Sequence, residues 1–291
     1  MIIDGKRIAS EIQQEIKQEL TQMPGRRPCL AVVLVGDHPA SLLYVERKTM
    51  ACAEVGILSI KKHLPANLSE SDLIAEIEKL NNNDAIDGIL LQLPLPPHVN
   101  PIKVIHHIIP EKDVDGLHPT NIGKLFIGDP NTFAPCTPLG IKVLLERSNI
   151  EVGGKHALVI GRSNLVGKPM AALLMQNTPG GNATVTIAHS RTTNLPTLCR
   201  MADIIIAAMG QPRFLTADMI KDGAVVIDVG TNKIEDKSRS SGYRIVGDVD
   251  FDNVHPKCSY ISPVPGGVGP MTIAMLLSNT LKAMRARRLG R

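Results

Sequence analysis

Short apolar runs rich in Val, Ile and Leu alternate along the chain with longer stretches whose apolar residues recur at helical spacing. Ile8–Leu20 reads as a helix, Cys29–Val35 as a buried strand and Ala40–Val55 as a helix. Leu58–His63 follows as a strand, Ser69–Leu80 as a helix opened by a Ser69-x-x-Asp72 cap, and Gly88–Leu91 as a strand. This rhythm predicts a parallel, doubly wound sheet with helices packed on its faces.

From Pro94 to Gly140 the chain is rich in Pro and Gly, with a short helix expected at Pro101–Ile108, and Pro138 opens a further helix. The rhythm restarts with strand His156–Gly161, helix Leu165–Gln176 and strand Thr184–Ala188, followed by strands Ile204–Ala208 and Ala224–Val229. The expected fold is α/β in two domains with a cleft between them: an N-terminal parallel-sheet domain over 1–139 and a Rossmann-type domain over 140–269. A helix from Pro270 is expected to return to the first domain, residues 270–291, because the chain ends too soon for a third. No internal repeat or low-complexity segment interrupts this plan.

A chain of 291 residues fits two ordinary domains. Its 43% hydrophobic content suffices for a real core, while 2% aromatic content without Trp builds that core from aliphatic residues and Met and leaves few platforms for stacking bases. The net charge of +4 is mild, and much of it lies in Lys282, Arg285, Arg287, Arg288 and Arg291, which read as a solvated helix end complementing the helix dipole. No nucleic-acid partner is expected. Cys29, Cys52, Cys136, Cys199 and Cys258 are scattered without a Cys-x-x-Cys pair, the usage of free thiols in a reducing compartment. No signal-like segment follows Met1 and no apolar run reaches membrane-spanning length, so a cytoplasmic protein without a membrane partner is expected. His106 and His107 are adjacent but have no carboxylate or Cys cluster at ligand spacing, so no metal site is expected.

The densest local signal is Ser262-Pro-Val-Pro-Gly-Gly-Val-Gly-Pro-Met-Thr272. Proline fixes φ and glycine frees it, so the run specifies one unusual backbone path. Gly266, Gly267 and Gly269 let a flat ligand approach the main chain, and Met271, Met275, Leu276 and Leu281 place the run at a helix N-terminus. A rigid interdomain turn would use the same residues. Gly161-Arg-Ser-Asn-Leu-Val-Gly167 follows an apolar strand and opens a helix, as a dinucleotide phosphate loop does, although it lacks the usual glycine triplet. A NAD site calls for an acidic residue after the second strand; here His189-Ser190-Arg191-Thr192 follows Ala188. Arg162, Ser163 and Arg191 could face a ribose 2′-phosphate, which favours NADP.

Tyr44 and Lys48 share one face of a predicted helix. Short-chain dehydrogenases carry a Tyr-x-x-x-Lys pair downstream of their dinucleotide loop, and the reversed order here excludes that family. A Lys lining an apolar cleft can act as an acid/base; an exposed helix Lys is the plainer reading. Gln92 ends a buried strand, where doubly wound folds bind ligands. In Pro110-Glu-Lys-Asp-Val-Asp-Gly116, Asp113 and Asp115 are too few to cage a metal. One carboxylate suits a heterocycle edge with two adjacent donors, and Asp115 beside Gly116 is the better candidate, with Asp113 shaping the turn.

Together, Ser41-x-x-Tyr44-x-x-x-Lys48, Gln92-Leu-Pro-Leu, Pro110–Gly116, Pro135-Cys-Thr-Pro138, Gly161–Gly167 and Pro263–Thr272 resemble, in order, the bifunctional methylenetetrahydrofolate dehydrogenase/methenyltetrahydrofolate cyclohydrolase family over essentially the whole chain. The resemblance implies oxidation of 5,10-methylenetetrahydrofolate with NADP and hydrolysis of the product to 10-formyltetrahydrofolate. It implies that residues 1–139 form the folate-binding catalytic domain and 140–269 the NADP-binding one. Lys48 would be the catalytic lysine, assisted by Tyr44 and Gln92, with Asp115 holding the pterin and Pro263, Gly266 and Gly267 joining them around the substrate. NADP would lie on Gly161, Arg162, Ser163, Val166, Gly167, His189, Ser190, Gly210, Gly230 and Thr231, with Arg162 and Ser163 at its phosphate. A homodimer acting on tetrahydrofolate derivatives is also implied. Ser262 stands where the family signature usually has Thr, and Met50 where many relatives carry a second basic residue, which bears on contact with the folate's acidic tail. The rivals are a shikimate-type NADP dehydrogenase and a non-catalytic folate- or nucleotide-binding protein.

Overall fold

In the computed structural model, which describes residues 1–238 and 242–289, the chain divides into two compact units. The first joins Ser10–Cys136 to Ile273–Arg291, and the second joins Met1–Ala9 to Thr137–Thr272. These bounds differ from the expected stretches at the N-terminus. Ile3 N–H donates to Ile261 O at 2.8 Å and Ile2 bridges Ile261 in parallel, so backbone pairing carries the first nine residues into the second unit.

The chain first forms α1 (Gly5–Gln22), β1 (Cys29–Val35), α2 (Pro39–Val55), β2 (Leu58–Leu64), α3 (Glu70–Asn81) and β3 (Gly88–Leu91). Then come α4 (Pro101–His107), α5 (Pro119–Phe126) and α6 (Cys136–Arg147). Ser69 caps α3 as its spacing predicts, accepting from Asp72 N–H at 3.1 Å. Helix α5 was not expected. Its cap is the His118 ring, whose Nδ1 accepts from Thr120 N–H at 3.1 Å, and an imidazole cap is absent from the usual signals. The sheet order is β2-β1-β3, all parallel. Strand β1 is buried throughout, the reason it reads as an unbroken apolar run. Ala31 and Val33 pack with Ile89 and Leu91 of β3, Leu73 and Ile77 of α3, and Val104 of α4. Strand β2 is a largely exposed edge, blunted by Lys61 and Lys62.

The remaining elements are β4 (His156–Ile160), α7 (Gly167–Met175), β5 (Thr184–Ala188), α8 (Leu195–Met201), β6 (Ile204–Ala207) and β7 (Val225–Asp228). They continue with β8 (Asn232–Glu235), β9 (Tyr243–Val246), α9 (Phe251–Val254), β10 (Tyr260–Ile261) and α10 (Val268–Leu289). A parallel sheet runs β10-β7-β6-β4-β5, and β8 pairs antiparallel with β9. The chain leaves β4 for β5 on one side and then crosses to β6 on the other. The switch point where ligands bind in doubly wound sheets is therefore the carboxyl end of β4. There Gly161, at φ +131°, comes so close to the next loop that a Cβ would sit 2.2 Å from Ala208 O.

The basic tail is solvated in part, with Arg285 and Arg288 exposed, but its cations also bind the rest of their unit. Arg287 donates to Ile86 O and pairs with Asp84 at 3.0 Å, Arg288 donates to Arg26 O at 2.7 Å, Lys282 donates to Thr132 O at 2.6 Å, and Arg285 pairs with Glu19. Arg291 lies outside the described residues. Asp87, fully buried before β3, accepts both guanidinium nitrogens of Arg26 at 2.6 Å and Cys29 N–H at 2.9 Å. Removing it would leave Arg26 and the start of β1 without their acceptor. Asp87→Ala is expected to lower the unfolding free energy by about 2–3 kcal/mol, read as a lower urea midpoint at unchanged slope. An unchanged midpoint would show that the pair contributes nothing net.

Candidate active site

Helix α2 buries Ser41, Val45, Lys48, Cys52 and Val55 along one face, so Lys48 points inward although charged. Its Nζ donates to Gln92 Oε1 at 2.9 Å. Gln92 follows β3 directly, and its N–H pairs with Val33 O at 2.8 Å, which fixes its backbone against β1. Its Nε2 donates to Leu93 O at 2.6 Å, turning the amide oxygen to the lysine. Tyr44 lies one turn before Lys48 and is exposed. Ser41, two turns before Lys48, is buried, and its hydroxyl has no hydrogen-bond partner among the described residues. Buried hydroxyls are normally paired, so this one has capacity for a polar ligand.

The segment around Asp115 is fixed by its neighbours. Lys112 is buried, and its Nζ donates to Leu80 O, Asn81 O and Asn83 O at 3.1, 2.6 and 2.8 Å, closing the C-terminus of α3. Burial lowers its ammonium to about 8. Asp113 is also buried; its Oδ2 accepts from His118 N–H and Asn121 Nδ2, each at 2.8 Å. Burial raises its carboxyl above the ordinary value while those hydrogen bonds oppose the rise. Asp113 therefore shapes the turn. Asp115 is half-buried, and Gly116 beside it has φ +72° and packs so closely that a Cβ would sit 2.5 Å from the Ala134 carbonyl carbon. Cys136 lies next to Asp115. Burial pushes its thiol well up, the adjacent Asp115 carboxylate adds to the rise and Lys48 opposes it.

In the second unit the loop after β4 is held by its own hydroxyl: Ser163 Oγ accepts from Val166 N–H at 3.1 Å. Arg162 and Ser163 are exposed, and Gly167 is packed so that a Cβ would lie 2.1 Å from Gly161 O. After β5, His189 N–H donates to Thr192 Oγ1 at 2.9 Å, and Ser190 is exposed. Two buried carboxylates organise the loops after β6 and β7. Asp248 accepts from Met209 N–H at 2.7 Å and Gly210 N–H at 2.8 Å with one oxygen and from Asn232 Nδ2 at 2.8 Å with the other. Asp228 accepts from Gly230 N–H and Asp248 N–H at 2.9 Å and Val249 N–H at 3.0 Å. Thr231 is exposed beside Gly230. The Pro263–Gly267 turn closes through Gly267 N–H to Pro263 O at 2.9 Å, and Gly5 fits under it only because it lacks a Cβ, which would sit 2.0 Å from Gly267 O.

Residues 3–115 match the model of the tetrahydrofolate dehydrogenase/cyclohydrolase catalytic domain, and residues 135–288 match that of the same family's NAD(P)-binding domain. The chain belongs to this family. A bifunctional protein FolD from Protochlamydia amoebophila is 66% identical over 281 residues, covering 97% of this chain and 96% of its own. The crystal structure of the bifunctional enzyme FolD from Campylobacter jejuni is 48% identical with TM-score 0.93, covering 99% of both chains. The FolD structure of Trypanosoma brucei, complexed with NADP cofactor and inhibitor, is 41% identical with TM-score 0.93, covering 99% of this chain and 98% of its own. Likeness of this extent decides against the shikimate-type reading.

In this dehydrogenase/cyclohydrolase, Lys48 and Gln92 are hydrogen-bonded to each other, and Asp115, beside Cys136, belongs to the same unit. Pro263, Gly266 and Gly267 belong to the second unit with the residues from Gly161 to Thr231. The sequence reading missed Cys136 as a neighbour of Asp115, the buried Asn279, and Asp228 with Asp248. Cys136 stood within the Pro135-Cys-Thr-Pro138 motif, whereas Asn279 was hidden in the polar run Ser278-Asn279-Thr280.

Burial raises the Asp228 carboxyl from 3.8 to about 7, against the lowering effect of its three N–H donors. Its folded value exceeds the unfolded one, so the native state holds the extra proton between them. The stability it contributes is full below the unfolded value and is lost as pH rises through about 7. The melting temperature should therefore carry a component that falls across that window, and Asp228→Asn should remove it. Melting curves of both proteins over this pH range check the point; parallel profiles would contradict it.

Proposed function

We propose that Lys48 is the proton carrier of a two-step folate enzyme. The chain is a bifunctional NADP-dependent methylenetetrahydrofolate dehydrogenase and methenyltetrahydrofolate cyclohydrolase. The observation that carries the Lys48 assignment is the 2.9 Å hydrogen bond from this buried lysine to Gln92 at the end of β3. Gln92 holds the amine by its oxygen. Asp115 receives the pterin edge, whose N3–H and 2-amino group match a carboxylate's two acceptors. Oxidation of the methylene carbon leaves a cation shared by N5 and N10, and for this step the site has to align the substrate. Hydrolysis differs: water attacks the methenyl carbon, the bond to N5 breaks, and Lys48 carries the proton between the attacking water and the departing nitrogen. Tyr44, one turn away, bounds the substrate.

The loop after β4 fits a dinucleotide. Gly161 and Gly167 form a cradle that a Cβ would fill, Ser163 retains its hydroxyl proton to donate, and exposed Arg162 supplies a cation. NADP, when bound there, supplies the hydride acceptor. Gly210, Gly230 and Thr231 border it from the loops after β6 and β7, with Val166, His189 and Ser190, while Pro263, Gly266 and Gly267 serve the folate. We read the protein as a cytoplasmic homodimer feeding one-carbon metabolism, with no nucleic-acid or membrane partner. The free cysteines suit a reducing compartment, and the family resemblance supports the dimer.

Lys48→Met keeps the aliphatic stem and removes the amine. Cyclohydrolase activity, followed by loss of methenyltetrahydrofolate absorbance, should fall about 10²–10⁴-fold, while NADPH formation from the methylene substrate falls less. An equal loss of both, with weakened folate affinity, would make Lys48 a substrate-positioning group instead. Arg162→Ala should erode the preference for NADP⁺ over NAD⁺ by about ten- to a hundredfold, measured as the ratio of kcat/KM values. An unchanged ratio would remove Arg162 from the phosphate site.

A further inference from the structure

Asn279 lies in the part of α10 that groups with the first unit and is 3% exposed amid Leu276, Leu277 and Leu281. Its Nδ2 donates to Val114 O at 2.9 Å and to Ala134 O at 3.2 Å, and it touches Cys136 Sγ at 3.8 Å. Those carbonyls belong to chain segments far apart in sequence, one immediately before Asp115 and the other against Gly116. A primary amide has two protons, and here two buried acceptors meet it. Leu or Met would fill the same space but remove this donor from Ala134 O and leave Val114 O with the weaker Cys136 thiol at 3.4 Å.

The consequence concerns where Asp115 sits. Upstream, Ile89 N–H pairs with Lys112 O at 2.7 Å, and Gly88 admits Val114, whose Cγ1 would be 2.6 Å from a Cβ there. Downstream, Gly116 turns the chain against Ala134 and Pro135. These contacts set the path of the backbone; the Val114 carbonyl itself accepts from the Cys136 thiol at 3.4 Å and, at the shorter distance of 2.9 Å, from the Asn279 amide. We propose that Asn279 is the positioning residue for Asp115, holding the Val114–Asp115 peptide by its carbonyl and tying it to the Ala134–Cys136 segment. It touches no reacting atom and acts through Asp115, so the inference rests on the reading of Asp115 as the pterin carboxylate.

The test is steady-state kinetics of the full-length protein with methylenetetrahydrofolate and NADP⁺ for Asn279→Leu, Asp115→Asn and the double variant. Asn279→Leu should raise KM for the folate about tenfold, with a smaller change in kcat and unchanged KM for NADP⁺. In the Asp115→Asn background it should add little, because the group it positions has already lost its function. Asn279→Ser, smaller and still a donor, serves if the leucine variant fails to fold, and should show the same split with a smaller rise. A lowered melting temperature with normal folate KM overturns the proposal, as does a full additive rise in the Asp115→Asn background. Normal folate KM in Asp115→Asn alone overturns the reading of Asp115 and the positioning role with it.

Discussion

A parallel strand loses its hydrogen-bonding ladder where it ends, and in this chain Gln92 and the candidate dinucleotide loops follow the carboxyl ends of such strands. The backbone groups freed there must find partners, and buried side chains supply them. In the second unit Asp228 and Asp248 gather N–H groups from the loops after β6 and β7. In the first, the Gln92 backbone stays paired to Val33, Lys112 takes up the carbonyls that end α3, Asp113 accepts from His118 N–H, and Asn279 donates to Val114 O. Each is polar, buried and aimed at main chain. The placement of the functional side chains depends on them, because without such partners a loop of this kind would move outward to water.

The segment Pro110–Gly116 shows how closely architecture and chemistry can be interleaved. Lys112 faces the end of α3, Asp113 faces the entry to α5, and Asp115 is left half-buried beside Cys136. Asp113 bridges Ile89 of β3, a turn closed by Gly116 N–H to Asp113 O at 3.1 Å follows, and the left-handed Gly116 carries the chain on. Two aspartates two residues apart therefore have different work. The same division holds after β4, where Ser163 fixes the loop with its oxygen while Arg162 is exposed.

The central strands β1, β3, β4 and β6 were legible because burial on both faces leaves an unbroken apolar run, and their observed ends lie within a residue of those expected. Helix α3 was legible from its Ser69 cap. Less legible were α5, capped by a histidine, and α8, whose cap residue Asn194 adopts a left-handed conformation without a side-chain cap bond. The β8–β9 ribbon has polar residues on short strands and no strict alternation, so neither period could reveal it. Among the candidate residues, Lys48 stood out by sharing a helix face with Tyr44, Gln92 by ending a buried strand, and Asp115 by standing beside a glycine in a loop. Asp228 and Asp248 did not, because their value lies in a pairing between residues twenty positions apart, which a local reading cannot supply.

The distribution of groups between the units bears on how one chain can run two reactions. The candidate proton-handling groups, Lys48 with Gln92 and Asp115 with Cys136, all belong to the first unit, and the dinucleotide candidates from Gly161 to Thr231 all belong to the second. Hydride transfer to a nicotinamide demands alignment of donor and acceptor, whereas hydrolysis of the resulting cation demands a proton carrier near the carbon and its departing nitrogen. Because the lysine is positioned by hydrogen bonds internal to its own unit, its geometry is set before and apart from the dinucleotide. With Lys48 as the proposed proton carrier, hydrolysis draws on groups of the first unit alone and requires no second catalytic set.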